Sequence, residues 1–156
     1  IEHRMSEDFS ELHISYRNSP LVAEDWGSTP SNRPRKAPLL GRRAPDIELK
    51  IAGSEKSVRL YELLREPRHI LLISPGRHPT SNDLEKVTTI VQKVHETYAE
   101  CIMVHLLEGS EVDFERRYGT DMPALYLVRP DGYIGFRGRP EIDLLEKYLG
   151  RLFLYA

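Results

Sequence analysis

Apolar residues along this chain fall into runs and spacings that outline its elements. His69-Ile70-Leu71-Leu72-Ile73-Ser74 is apolar without alternation, the mark of a strand covered on both faces, and it is expected at the centre of a sheet. Ile102-Met103-Val104-His105-Leu106-Leu107 reads as a second buried strand. Between them Leu84, Val87, Val91, Val94 and Tyr98 recur at helical spacing, with Asn82 placed to cap the helix and Glu85 to reach back. Two further strands, 124–128 and 133–137, flank Arg129-Pro130-Asp131-Gly132. Pro130 presets that turn and Gly132 accepts positive φ, so an antiparallel hairpin is predicted. Ile142, Leu145, Leu149 and Leu152 stripe a terminal helix with Pro140 at its first position.

Smaller signals fill the gaps. Val58-Arg59-Leu60 reads as a short strand and Tyr61-Glu62-Leu63-Leu64 as one helical turn closed by Pro67. Ser110 and Asp113 predict a capped start for a short helix through Phe114 and Tyr118, stopped by Gly119. Before all this, 1–27 holds only the alternating Leu12-His13-Ile14-Ser15-Tyr16 and the isolated Leu21, Val22 and Trp26, with no partner of their own. Residues 28–38 carry three prolines and read as an extended linker. The expected division is an extended tail and linker over 1–40 and a domain over 41–156. Strand, helix, strand, helix, antiparallel hairpin, helix is the order of an α/β thioredoxin-like fold, a mixed sheet with helices on both faces. In that fold Met122-Pro123 holds the place of a cis-proline, so Pro123 is expected cis.

Composition narrows the function classes. With 156 residues and 40% apolar side chains, the chain can bury one substantial core. A net charge of −2 supplies no basic field, so neither nucleic acid nor membrane is an expected partner. Cys101 is the only cysteine, which rules out an internal disulfide framework and fits a reducing compartment, the cytoplasm. No apolar run approaches the roughly twenty residues that cross a bilayer. The opening Ile1-Glu2-His3-Arg4 has no initiator Met, as a cut inside a longer polypeptide would leave it.

The chemistry this fold usually carries is missing. A redox thiol belongs after the first central strand, where helix-terminal amides stabilise a thiolate. Here the segment reads Ser74-Pro75-Gly76-Arg77-His78-Pro79-Thr80-Ser81-Asn82, with no cysteine. Pro75, Gly76, Arg77 and His78 therefore mark a vacant thiol site, and serine cannot replace a thiol in disulfide exchange. Arg77 and His78 read either as a solvated loop or as an anion receptor beside a helix end. Cys101 falls at the remote end of the sheet and reads as a small buried hydrophobe. His105 reads as a hydrogen-bonded interior or edge histidine, with no ligand set beside it to hold a metal. Glu111, Asp113 and Glu115 suit a helix start. No Gly-x-Gly-x-x-Gly and no phosphate-binding glycine loop occurs, so no cofactor is expected in this chain.

Several stretches resemble the C-terminal region of class A FAD-dependent phenol and aromatic-polyketide hydroxylases. Tyr16-Arg17-Asn18-Ser19-Pro20-Leu21-Val22 is similar to the tract leaving their substrate domain, and Leu40-Gly41-Arg42-Arg43-Ala44-Pro45-Asp46 to the "pGxRaPd" that opens their last domain. Val58-Arg59-Leu60-Tyr61-Glu62-Leu63-Leu64 resembles "rLydLl", and 127–137 resembles the "LvRPDGyvawR" hairpin, with Phe136 in place of Trp. The resemblance implies a thioredoxin-like module without redox cysteines, serving packing and assembly, while FAD, NAD(P)H and the substrate are held by upstream domains of the same polypeptide. On that reading this chain alone is inactive and its parent is the monooxygenase. The alternatives are a thiol oxidoreductase or peroxidase on the same fold, and a free-standing binding or dimerisation module. Leu21, Val22 and Trp26 are expected to pack on the domain's own surface or on a second copy.

Overall fold

The computed structural model describes residues 22–25, 41–108, 112–119 and 121–153. The expectations for 12–16, Leu21, Trp26, the linker at 28–38, Ser110, Glu111 and the side chain of Asp113 lie outside what is described. The elements are β1 (Ala23–Asp25), β2 (Glu48–Lys50), β3 (Ser57–Arg59), α1 (Leu60–Leu63), β4 (His69–Ser74), α2 (Ser81–Tyr98), β5 (Ile102–Leu106), α3 (Val112–Tyr118), β6 (Ala124–Val128), β7 (Ile134–Gly138) and α4 (Ile142–Phe153).

Five strands form one mixed sheet in the order β1-β7-β6-β4-β5, and β2 pairs with β3 in a separate hairpin. β4 runs parallel to β5 and antiparallel to β6, and β6 and β7 form the predicted hairpin. Alternation along the strands sorts the core into two layers. Ile70, Leu72, Tyr126 and Val128 face Leu49, Leu60, Phe114 and Tyr118, while Leu71, Ile73, Leu125 and Leu127 face Val87, Ile90 and Val94 of α2 and Leu145 and Leu149 of α4. Helices therefore lie on both faces, as the apolar run of β4 predicts.

Ile134 and Phe136 face opposite layers although they stand two apart, because the β6–β7 register shifts between Leu127 and Val128. Gly135 is the extra residue of that bulge. A Cβ there would lie 2.7 Å from the Tyr148 hydroxyl and 3.2 Å from Arg129 Cγ, so a larger residue would have to displace those side chains.

Several expectations are corrected. β4 is internal but not the middle strand; β6 is, because β1 adds a strand beyond β7. The segment read as a tail without a partner thus supplies a sheet strand at Ala23–Asp25, and Val22 packs on the core of its own domain. β5 ends the sheet, so four of its five residues are only half-buried. Helix α2 begins two residues earlier than predicted. Thr80 is its cap: the Thr80 hydroxyl accepts the Asp83 N–H at 3.1 Å and the Asp83 carboxylate accepts the Thr80 N–H at 2.9 Å. That reciprocal pair satisfies two donors at the helix start, and Leu84 is left 47% exposed while Ile90 takes a place in the stripe. Pro140 precedes α4 instead of starting it, and the Leu145 N–H bonds back to the Glu141 carbonyl at 3.3 Å.

An ion pair joins β1 to β7 beside their backbone pairing. The Glu24 carboxylate accepts from Arg137 Nε at 2.8 Å and from its terminal nitrogen at 2.6 Å, and the Arg137 side chain is 1% exposed. Removing one partner of a buried pair costs about 3–5 kcal/mol. A three-residue strand offers only a few backbone bonds worth about 1 kcal/mol net each. Losing Glu24 alone is therefore expected to cost more than losing any single backbone bond of the strand.

The position of the α2 cap is testable by urea unfolding. Thr80→Ala is expected to cost about 1 kcal/mol, and Asn82→Ala to stay within about 0.5 kcal/mol of the wild type. The reverse order would restore the cap to Asn82.

Candidate functional site

At the junction where the fold's redox thiol would sit, the backbone of 76–77 lies close against 121–123. Gly76 has φ +84°, and a Cβ there would meet the Asp121 carbonyl oxygen and Pro123 nitrogen at 2.9 Å. The Arg77 N–H donates to the Asp121 carbonyl at 2.8 Å, and the Ser74 hydroxyl accepts the Gly76 N–H at 3.3 Å. The Met122–Pro123 bond, expected cis, is trans, since no cis peptide bond occurs among the described residues. Trans is the intrinsically favoured isomer, and here the close approach of the two backbones is taken up by the positive φ of Gly76.

Arg77 turns its guanidinium to Glu115 of α3, with Nε 3.2 Å from one carboxylate oxygen and a terminal nitrogen bonded to the other. That hydrogen bond raises the Arg77 pKa above its ordinary value. The same carboxylate repels an anion, so Arg77 and the exposed His78 do not converge on a receptor. A cleft of about 190 Å³ adjoins the junction, lined by Lys86, Met122, Pro123, Arg139 and Glu141 among others. Its Lys86 and Glu141 pair with each other at 2.7 Å.

The other candidates lie apart. Cys101 is a free, half-buried thiol packed on the α2–α4 layer. Its carbonyl accepts the His69 N–H at 2.9 Å, which places it at the first residue of β4, the opposite end from the junction. His105 differs from expectation: its Nε2 is buried without a hydrogen-bond partner. Its Cα partner is Leu72 in an apolar layer, and burial, then Arg68, lowers its pKa. No group of three or more potential metal ligands occurs among the described residues, nor a helix there long and apolar enough to cross a membrane.

The stretches singled out in the sequence meet one another. The Gly41 N–H donates to the Ile134 carbonyl at 3.0 Å, Ile134 N–H to Arg42 at 2.9 Å, and Ala44 N–H to Gly132 at 2.8 Å. The Arg43 guanidinium lies 5.7 Å from the Tyr133 ring centroid. Within the turn, the Gly132 N–H closes on Arg129 at 2.8 Å and Asp131 accepts the Tyr133 N–H at 3.2 Å, beside the solvent-exposed Pro130. The Asp46 carboxylate accepts from Arg59 Nε and the Tyr61 N–H, both at 3.1 Å, and the Tyr61 hydroxyl donates to the Ala44 carbonyl at 3.2 Å. Sequence reading found each stretch but not their junction, which long-range backbone pairing creates and no local periodicity announces.

A family model described as aromatic-ring hydroxylase, C-terminal, matches residues 37–154. No curated protein matches the chain. Among solved structures, the flavin-dependent monooxygenase PieE, in complex with FAD and substrate, is similar over 99% of this chain and 28% of its own, at 16% identity and TM-score 0.61. An aklavinone-11 hydroxylase with FAD and aklavinone is similar over 85% of this chain and 25% of its own, at 21% identity and TM-score 0.55. A thiol peroxidase from Chromobacterium violaceum is similar over 74% of this chain and 88% of its own, at 15% identity and TM-score 0.54. These likenesses show the thioredoxin-like fold, and the chain spans about a quarter of the two hydroxylases.

Two outcomes follow from this geometry. Asp46→Ala, which removes both acceptor bonds of the corner, is expected to cost about 1–2 kcal/mol in urea unfolding, and an unchanged midpoint would show the corner to be incidental. His69 lies edge-on to Phe153 at 5.2 Å, and burial, then Arg129, pushes its pKa down from 6.5 to about 4. Because the unfolded chain takes up this proton first, the contribution of a neutral His69 is complete above pH 6.5 and is lost as pH falls toward 4. Unfolding midpoints between those limits are expected to fall less steeply in His69→Asn than in the wild type.

Proposed function

Because the chain belongs to the aromatic-ring hydroxylase C-terminal family, we propose that it is the non-catalytic assembly domain of an FAD- and NAD(P)H-dependent monooxygenase acting on aromatic rings. One observation carries this reading. The stretches that resemble the family, at 41–46, 58–64 and 127–137, hydrogen-bond to one another in a structural corner.

The residues present do not fit a flavin. The sequence holds no Gly-x-Gly-x-x-Gly, and at the start of α2 the Asp83 N–H is taken by the Thr80 hydroxyl and the Thr80 N–H by the Asp83 carboxylate. A flavin, bound upstream, supplies oxygen-transfer chemistry that is the cofactor's own. What this chain contributes is a rigid surface for the upstream flavin and substrate domains of the same polypeptide. The absence of any cysteine from 74–82 and the lone, remote Cys101 support a role without thiol chemistry, in the cytoplasm. The same reading extends to a homodimer, which sedimentation at two concentrations measures.

Two measurements test the proposal. The purified chain is expected to carry no yellow chromophore and to leave hydrogen peroxide unconsumed with or without Cys101→Ser. The reading frame ahead of Ile1 is expected to encode a strand followed by Gly-x-Gly-x-x-Gly. Stoichiometric flavin on the chain, or peroxide turnover lost in Cys101→Ser, would overturn it.

A further inference from the structure

The outer edge of β7 presents an unusual surface to β1. Arg137 points from it into the layer that holds Tyr126 and Leu72, and its side chain is 1% exposed. Glu24 reaches it from a strand that lies before residue 37, where the family match begins. The two residues are 113 apart in sequence and directly opposite in the parallel register.

The register leaves little freedom. Val22 packs on one core layer, Ala23 on the other, and Glu24 returns to the first. A slip of one residue would turn each side chain to the wrong face and carry the carboxylate away from Arg137. Backbone pairing alone cannot choose among registers, because it is the same for every sequence. The carboxylate can.

We propose that the outer edge of β7 is a strand-accepting site selective for an extended peptide with an acidic residue opposite Arg137, filled in cis by residues 22–25. The site requires no assumption about the parent enzyme. It makes β1 a clasp that fastens the polypeptide ahead of the linker to the sheet, and it moves the working boundary of the unit upstream of residue 37. A chain cut at that boundary would leave the Arg137 charge buried without Glu24.

Hydrogen exchange on the full chain tests this, with the amides of β4 as the internal reference for global opening. In Glu24→Gln the amides of 23–25 are expected to exchange at least tenfold faster relative to β4 than in the wild type. In the double variant Glu24→Met, Arg137→Met, which removes both members of the pair, the ratio is expected to return to within about threefold of the wild type. A wild-type ratio in Glu24→Gln would overturn the proposal, as would a double variant loosened as fully as the single one. If Glu24→Gln does not fold, the double variant decides alone: β1 seated supports the clasp, and β1 released sinks it.

Discussion

Burial on both faces of two neighbouring strands governs this molecule. Every residue of β6 and five of the six in β4 are buried, so apolar layers must cover the sheet from either side, and α2 with α4 and α3 with α1 do so. With both faces committed to packing, polar groups that could do chemistry are confined to the strand ends and the sheet margins. The two ends have been resolved differently. One is a turn region tied to residues 41–44, and the other is the junction ahead of α2.

At that junction the backbone itself occupies the space. Gly76 lies against the 121–123 segment, and Arg77 is drawn sideways to Glu115. A thiol-dependent relative needs the opposite arrangement, an accessible nucleophile at the helix end. The likeness to a thiol peroxidase is accordingly one of scaffold, while the family match takes in residues 37–154, which include the corner built from 41–46 and the hairpin.

Much of the scaffold was legible because single elements announce themselves. The unbroken run at 69–74, the Arg-Pro-Asp-Gly turn and the stripe of α4 each depend on local chemistry, and each appears where that chemistry puts it. The misreadings share a cause. Thr80 and Asn82 both fit a capping pattern with an acid three residues on, and only the observed reciprocal bonds of Thr80 and Asp83 distinguish them. The place of β1 beside β7, the half-exposure of β5 and the unpartnered Nε2 of His105 all depend on which strands become neighbours. That residues 74–82 hold no cysteine is a matter of sequence alone, whereas the pairing of Arg77 with Glu115 needed two elements 38 residues apart to meet.

The distance along the chain between Glu24 and Arg137 also has a temporal side. A ribosome adding about 5–20 residues per second would release Glu24 roughly 6–23 s before its partner, given the 113 residues between them. Throughout that interval the nascent segment carries a half-apolar strand with nowhere to dock. The sheet's far margin therefore cannot be completed until β7 has left the ribosome, however early β1 was made.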